Sequence, residues 1–577
     1  MQGLKRRLKA TLAVALVLAP LGLATPAAAS TNVAEMIRPH EASYGFYVDT
    51  YLNNTADHKT IYNNPAVGVT SEFYRYWSPD KGILNQAVLD MSVAATAKAT
   101  QNRTAAEERR SFFTDRVNLP YTIVSGLGPY ATAFVKNAEA QTSYHVMPTK
   151  PVAKNDKAPK VPWANPNSKL GAIVQLINLN RLPYGKSSFP KKVYRYERPY
   201  RQSHNQVRPD PYLADFMAAA PKTDYDFPSG HSSAAFESGP TLAYVFPERF
   251  QQLVTRSSEI CYDRMLVGRH SALAVMGGRA MGQAVTAGIL NDPQNAALIK
   301  RAYREAHSVA LQKSPLVTTQ DEFANYRTNQ QNYRFRLTYG LPQIGNTHVG
   351  PRVPKGAEVL LKTRLPYLTA NQRRLVLATT ELASGYPVLD DTEGWGRLDL
   401  FSAANGYGSL PATTKVTMNA ARGGFNAQDT WKNNITGTGR LVKQGTGSLV
   451  LAGNNQFSGG IQLRAGGLTL TNAHAAGTGT LDVQAGTVTT GANLRVGHDY
   501  RQATTGKLVL AGPTSGLKVH GRADLAGTLV LKAGSRLRSG QTIMTFKHRI
   551  GRFAHVQGLP QGWHLKYTSQ KIQCVRN

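Results

Sequence analysis

Along the first two thirds of the chain, apolar residues recur at three- and four-residue spacing. LNQAVLDMSVAATAKAT (84–100), LGAIVQLINLN (170–180) and NQRRLVLATTELA (371–383) each carry the stripe of an amphipathic helix. Between them, PTKPVAKNDKAPKVPWANPNS (148–168) is rich in Pro, Lys and Asn and reads as a solvated loop. After about residue 411 the period shortens to two. Segments such as SLVLAG and GLTLTN alternate apolar with polar positions between Gly, Asn and Thr. Short strands at regular turn spacing, with few helix formers, predict stacked strand-turn units that bury their inward side chains only against neighbouring rungs. The pattern predicts a multidomain chain: an all-α helical bundle followed by a parallel β-solenoid.

The beginning of the chain differs from both regions. Residues 1–29 join Lys5, Arg6, Arg7 and Lys9 to an apolar run broken by Pro20 and Pro26, and close on Ala27-x-Ala29. A secretory signal peptide cleaved before Ser30 is expected, with a periplasmic or extracellular product. Four segments follow: signal peptide (1–29), helical domain (30–410, motif core about 120–300), solenoid (411–540) and C-terminal tail (541–577). No later stretch approaches the roughly 20 apolar residues that span a bilayer.

The formal charge is +32, and removing the leader's four cations leaves +28. A field of that sign attracts phosphorylated substrates or an anionic cell surface. No zinc-finger spacing or aromatic-basic interleaving is present, so nucleic acid is not an expected partner. The distant pair Cys261 and Cys574 gives no support for a disulfide.

Three segments concentrate cations and histidines. In KKVYRYERPY, Lys191 and Arg198 stand seven residues apart, which places both on one face if the spacer is helical; the residue before Pro199 is pushed out of helix. DFPSGHSSAAF (226–236) leads Pro228-Ser229-Gly230 into a helical start. There the Ser229 hydroxyl and the Gly230 and His231 amides could converge on an anion, and His231 could hand a proton to a leaving oxygen. The plainer reading is Ser229 as an N-cap beside an exposed histidine. In DRMLVGRHSALA (263–274), Gly268 offers a break that would let Arg264 and His270 face one anion. Alone, a histidine in an apolar helix is usually a core residue.

Taken together, lysine, six residues, Arg-Pro, then Pro-Ser-Gly-His, then arginine, five residues, histidine resembles the type 2 phosphatidic acid phosphatase (PAP2) family, which includes class A acid phosphatases and vanadium haloperoxidases. The resemblance extends over most of residues 120–540. Residues 431–470 resemble the autotransporter-associated β-strand repeat, although the roughly 40 residues after the last clear repeat leave no room for a membrane barrel of at least eight strands.

The resemblance implies metal- and cofactor-independent hydrolysis of a phosphomonoester or lipid phosphate. In that reading Lys191, Arg198 and Arg264 hold the phosphoryl oxygens, and Ser229 and the Gly230 amide complete the cradle, which vanadate could also occupy. His270 attacks phosphorus and His231 protonates the leaving alcohol. The family's aspartate, four residues after the nucleophile, is here Ala274. Its loss implies an impaired enzyme, unless Asp263, Glu259 or Asp226 substitutes. It also keeps open a non-catalytic protein binding anions at a surface and, further off, a vanadate haloperoxidase. Proline inside the helix after the Pro-Ser-Gly-His turn, at Gly239-Pro240, predicts a bend.

Overall fold

The computed structural model describes residues 32–156, 161–202, 206–311, 321–532 and 537–577. The expected signal peptide lies outside the described residues. The helical stripes appear as Gln86–Asn102, Gly171–Arg181 and Ala370–Thr380, the first capped by the Asn85 side chain and the last by a Thr369/Gln372 capping box. The described parts of 148–168 form neither helix nor strand.

Three helices make the centre: Gly230–Val245, Phe250–Leu266 and Ala272–Asn291, the last buried along almost its whole length. Glycines let them approach closely. A β-carbon on Gly278 would lie 2.5 Å from the Ser229 carbonyl oxygen, and one on Gly282 would lie 2.4 Å from that of Ser233. This contact seats the start of the Ala272 helix against the start of the Gly230 helix. The Gly230 helix continues through Pro240 without a break. The Phe236 carbonyl, which proline deprives of its usual partner, accepts instead from the Thr286 hydroxyl at 3.0 Å. The predicted disruption is thus absorbed by a neighbouring helix.

From Thr414 onward the chain winds into a parallel β-solenoid. One inward ladder runs Leu449, Leu468, Val488, Leu508, Leu529 through successive rungs, and all five are fully buried. A second runs Leu441, Ile461, Leu481, Tyr500. Corners need left-handed backbone at Gly466 (φ 75°) and Gly486 (φ 86°), where a β-carbon would also strike the preceding rung's carbonyl oxygens at 2.4 and 2.5 Å. Residues 541–577, set apart as a tail on sequence, hold five further strands. Gln541–Thr545 joins a parallel sheet with Asn493–Val496 and Gly516–Val519, then pairs antiparallel with Lys571–Arg576, which pairs with Trp563–Tyr567. Cys261 and Cys574 are both buried free thiols.

The helical region and the first solenoid rung share one core. Trp431 is fully buried, donates to the Tyr367 hydroxyl at 2.8 Å and packs edge-on to Tyr407 at 5.3 Å. The Asp429 carboxylate accepts from Arg364 at 2.7 Å and from the Tyr367 hydroxyl at 2.5 Å, with both charged groups buried. Among the described residues, no helix is long and apolar enough to cross a membrane.

Candidate active site

Each of the three motif segments ends at the same place. The helix Ser188–Tyr194 carries Lys191, but it stops at Arg195, whose φ is +51°. Lys191 and Arg198 therefore do not share a helical face, as the seven-residue spacing suggested; a chain reversal brings them together. Arg198 itself is extended (φ −59°, ψ 141°), as the following proline requires. Lys191 Nζ donates to the carbonyls of Tyr225 and Asp226 at 3.1 and 3.2 Å, which ties it to the Pro-Ser-Gly-His approach.

Ser229 caps the Gly230 helix: its Oγ accepts from the Ser232 amide at 3.3 Å and from the Ser232 hydroxyl at 2.9 Å. Its own hydroxyl hydrogen stays available to an anion. Gly230 sits where a β-carbon would meet Ser187 Oγ at 2.7 Å and Lys191 Cε at 4.0 Å, so the helix N-terminus faces the lysine. The Phe250 helix ends at Leu266, Gly268 follows at φ 79°, and the carbonyl of Arg264 accepts from the His270 amide at 3.2 Å. The break at Gly268 thereby turns Arg264 and His270 into one cluster.

His270 is 2% exposed. Its Nδ1 lies 2.7 Å from Asp226 Oδ1, and its Nε2 lies 2.6 Å from Arg198 Nη1. Nδ1 donating to the carboxylate leaves the Nε2 lone pair facing the cation. Burial first, then Arg198 and Lys191, push His270 well below its usual range, so the ring is neutral near neutral pH. Burial pushes Asp226 up to about 6, against the pull of Arg198 and Lys191. The Ser271 amide also donates to both oxygens of Asp226 at 3.3 Å.

Of the three carboxylates considered as substitutes for the missing aspartate, only Asp226 reaches the histidine. Asp263 is taken by Arg110 and Thr114, and Glu259 by Arg256, Arg110 and Arg336. Ala274 is fully buried, and its carbonyl accepts from the Ser229 amide at 2.8 Å. Its place in the core is structural.

Three residues that sequence spacing did not indicate complete the site: Asp115, Asp224 and Arg269. Asp115 accepts from Arg264 at 2.6 Å and stands 3.4 Å from Arg269; those two guanidinium groups outweigh its burial and hold its carboxyl well below the usual range. Asp224 accepts from Arg198 at 2.5 Å and lies 3.4 Å from Arg269. Arg264 is fully buried, and its Nε and Nη1 have no acceptor among the described residues. Unpartnered buried guanidinium donors are costly, and an anion would satisfy them. His231 is held well below its usual range by burial and by Arg264, with Asp115 opposing.

Residues 181–297 match the PAP2 superfamily model, a span that contains every motif residue from Lys191 to His270. The chain carries a PAP2 superfamily domain. Residues 441–470 match the passenger-associated-transport-repeat, within the solenoid and narrower than the 431–470 stretch singled out on sequence. Among similar proteins, the Neisserial autotransporter lipoprotein NalP of Neisseria meningitidis is 33% identical over 146 residues, covering 24% of this chain and 13% of the relative. An extracellular serine protease of Serratia marcescens is 29% identical over 173 residues, covering 24% and 16%. The adhesin BmaC autotransporter of Brucella suis is 30% identical over 137 residues, covering 23% and 4%. The chain thus spans under a fifth of the length of each, and the PAP2 domain must be read from its own geometry.

Proposed function

We propose that this is an exported phosphatase in which the PAP2 domain hydrolyses phosphomonoesters through a phosphohistidine. The observation that carries the reading is His270, oriented by Asp226 at Nδ1, beside the unpartnered donors of Arg264. Similarity to an autotransporter lipoprotein and to an extracellular protease, together with the passenger-associated-transport-repeat, supports export.

A phosphate dianion displaces Arg198 from Nε2 and takes donors from Arg198, Arg264, Lys191 and the Ser229 hydroxyl, with the Gly230 amide at the helix end. The freed Nε2 lone pair attacks phosphorus as the bond to the leaving oxygen breaks. Asp226 stabilises the imidazolium that forms. The leaving oxygen takes its proton from His231. The bound dianion favours protonated His231 against its burial and the nearby Arg264 charge. Water then attacks the phosphohistidine with His231 as base, releasing phosphate.

Asp226, 2.7 Å from His270 Nδ1, supplies a carboxylate where Ala274 cannot, which favours the catalytic reading over a non-catalytic binding protein. The test is hydrolysis of an aryl phosphate by the full mature chain, with vanadate as competitor and acid quench to trap phosphohistidine. Turnover with a trapped histidine adduct is expected. Phosphate or vanadate binding without turnover would restore the binding-protein reading, and halide oxidation by peroxide with added vanadate would replace the phosphatase.

The acid limb of the rate profile is a second expectation. Protonating Asp226 removes the acceptor for His270 Nδ1, so kcat should fall as pH drops through about 6. Asp226→Asn should flatten that limb. A limb unchanged in the variant would assign it to another group.

A further inference from the structure

The sheet built from Asn493–Val496, Gly516–Val519, Gln541–Thr545, Lys571–Arg576 and Trp563–Tyr567 contains no Asp or Glu. From residue 500 to 577 the sole acidic side chain is Asp524, and it pairs with Arg522 on the neighbouring sheet. On the outward side of the acid-free sheet, strand register places Arg495 opposite Lys518, Lys518 opposite Thr545, and Thr545 opposite Lys571. Arg495 and Lys518 are exposed between buried neighbours, Leu494 and Val496 for one and Leu517 and Val519 for the other, and Lys571 is exposed next to buried Ile572. Adjacent strands lie about 4.8 Å apart, so the row runs straight for about 14 Å. Lys566 and His564, on the outermost strand, extend the same face through their partners Gln573 and Val575. None of the row's three cations has a carboxylate partner among the described residues.

Like charges side by side in register repel, and cross-strand pairs of this kind destabilise a sheet. A row kept without counter-charges is therefore poised for an external polyanion. We propose that this face binds a linear acidic polysaccharide, its phosphate, sulfate or carboxylate groups laid along the row Arg495, Lys518, Lys571. A membrane is disfavoured because, among the described residues, the face presents no large exposed apolar side chain; Ile550, exposed on the solenoid, belongs to the other sheet. Single-stranded nucleic acid is disfavoured because Trp563 and Tyr567 alternate onto the opposite side, leaving no aromatic platform for bases.

The experiment measures binding of the full mature chain to dextran sulfate, polygalacturonate, a single-stranded DNA oligomer and phosphatidylglycerol vesicles across a salt series. The comparison sets Arg495→Gln/Lys518→Gln/Lys571→Gln against the charge-matched Lys81→Gln/Lys98→Gln/Lys300→Gln, whose three lysines are exposed on the helical region. The row variant should weaken glycan binding about tenfold or more and flatten its salt dependence, while the control stays within about twofold. Dextran sulfate against polygalacturonate separates sulfate-like from carboxylate recognition; row-dependent binding to either sustains the proposal, and binding to neither overturns it. Equal weakening by both triple variants would reduce the effect to overall charge and overturn it. So would tighter, row-dependent binding to DNA or to vesicles.

Discussion

Asp226→Asn should lower turnover of an aryl phosphate by about 10² to 10⁴, approaching the floor set by His270→Ala. The upper figure is the cost of the corresponding change in a serine-protease triad, where an amide leaves the geometry intact but holds the wrong tautomer. Here the amide nitrogen would face His270 Nδ1 across 2.7 Å and favour protonation at Nε2, the atom needed as nucleophile. KM should change less than kcat, since Lys191, Arg198 and Arg264 keep their donors. Ala274→Asp, the change that restores the family pattern, should bring no gain. Position 274 is fully buried and Nδ1 is already taken, so a second carboxylate would be buried without a role. Measuring kcat and KM for the three variants decides the matter. A gain in Ala274→Asp with little loss in Asp226→Asn would show that Asp226 does not orient the nucleophile.

The second large effect concerns the join between the helical region and the solenoid. Asp429→Ala strands the buried Arg364 guanidinium and removes an acceptor from the Tyr367 hydroxyl, which also receives the Trp431 indole. Breaking a buried pair from one side costs about 3–5 kcal/mol, mostly through the uncompensated charge. A marked fall in the denaturation midpoint is expected, with earlier proteolysis around residues 364–431. Arg364→Met combined with Asp429→Leu should recover most of the loss, because the pair's own net contribution is small. A midpoint for Asp429→Ala within experimental error of wild type would mean that the join does not depend on this pair.

The parts of the molecule legible in sequence are those whose geometry is set locally. The strides of 84–100 and 371–383 and the alternation in SLVL and GLTL follow from backbone period, and they became helices and rungs. Lys191, Arg198, Ser229, Gly230, His231, Arg264 and His270 were visible because each lies in a short motif, and the structure gathers them. Asp115 was not visible: it sits on the helix Ala105–Arg116, some 150 residues before its partners, and only tertiary packing joins them. For the same reason sequence could name Asp226, Asp263 and Glu259 but not choose among them. The segment around Tyr44 and Tyr47 gave no periodic signal because its helices are single turns. It is pinned by the buried Glu393, which accepts from the Tyr44 hydroxyl and the Tyr47 amide across about 350 residues.

The solenoid's ladder has a consequence for how the molecule can vary. Leu441, Ile461 and Leu481 occupy one place in successive turns, so each turn of about 20 residues returns the backbone to where it began. An internal turn is an interchangeable unit: it meets only the one before and the one after. Lengthening or shortening the stack by whole turns would preserve every corner glycine and every inward leucine, moving the cationic face in steps of about 4.8 Å from the histidines. The distance between chemistry and attachment is thereby a countable quantity, set by repeat number and independent of the fold at either end.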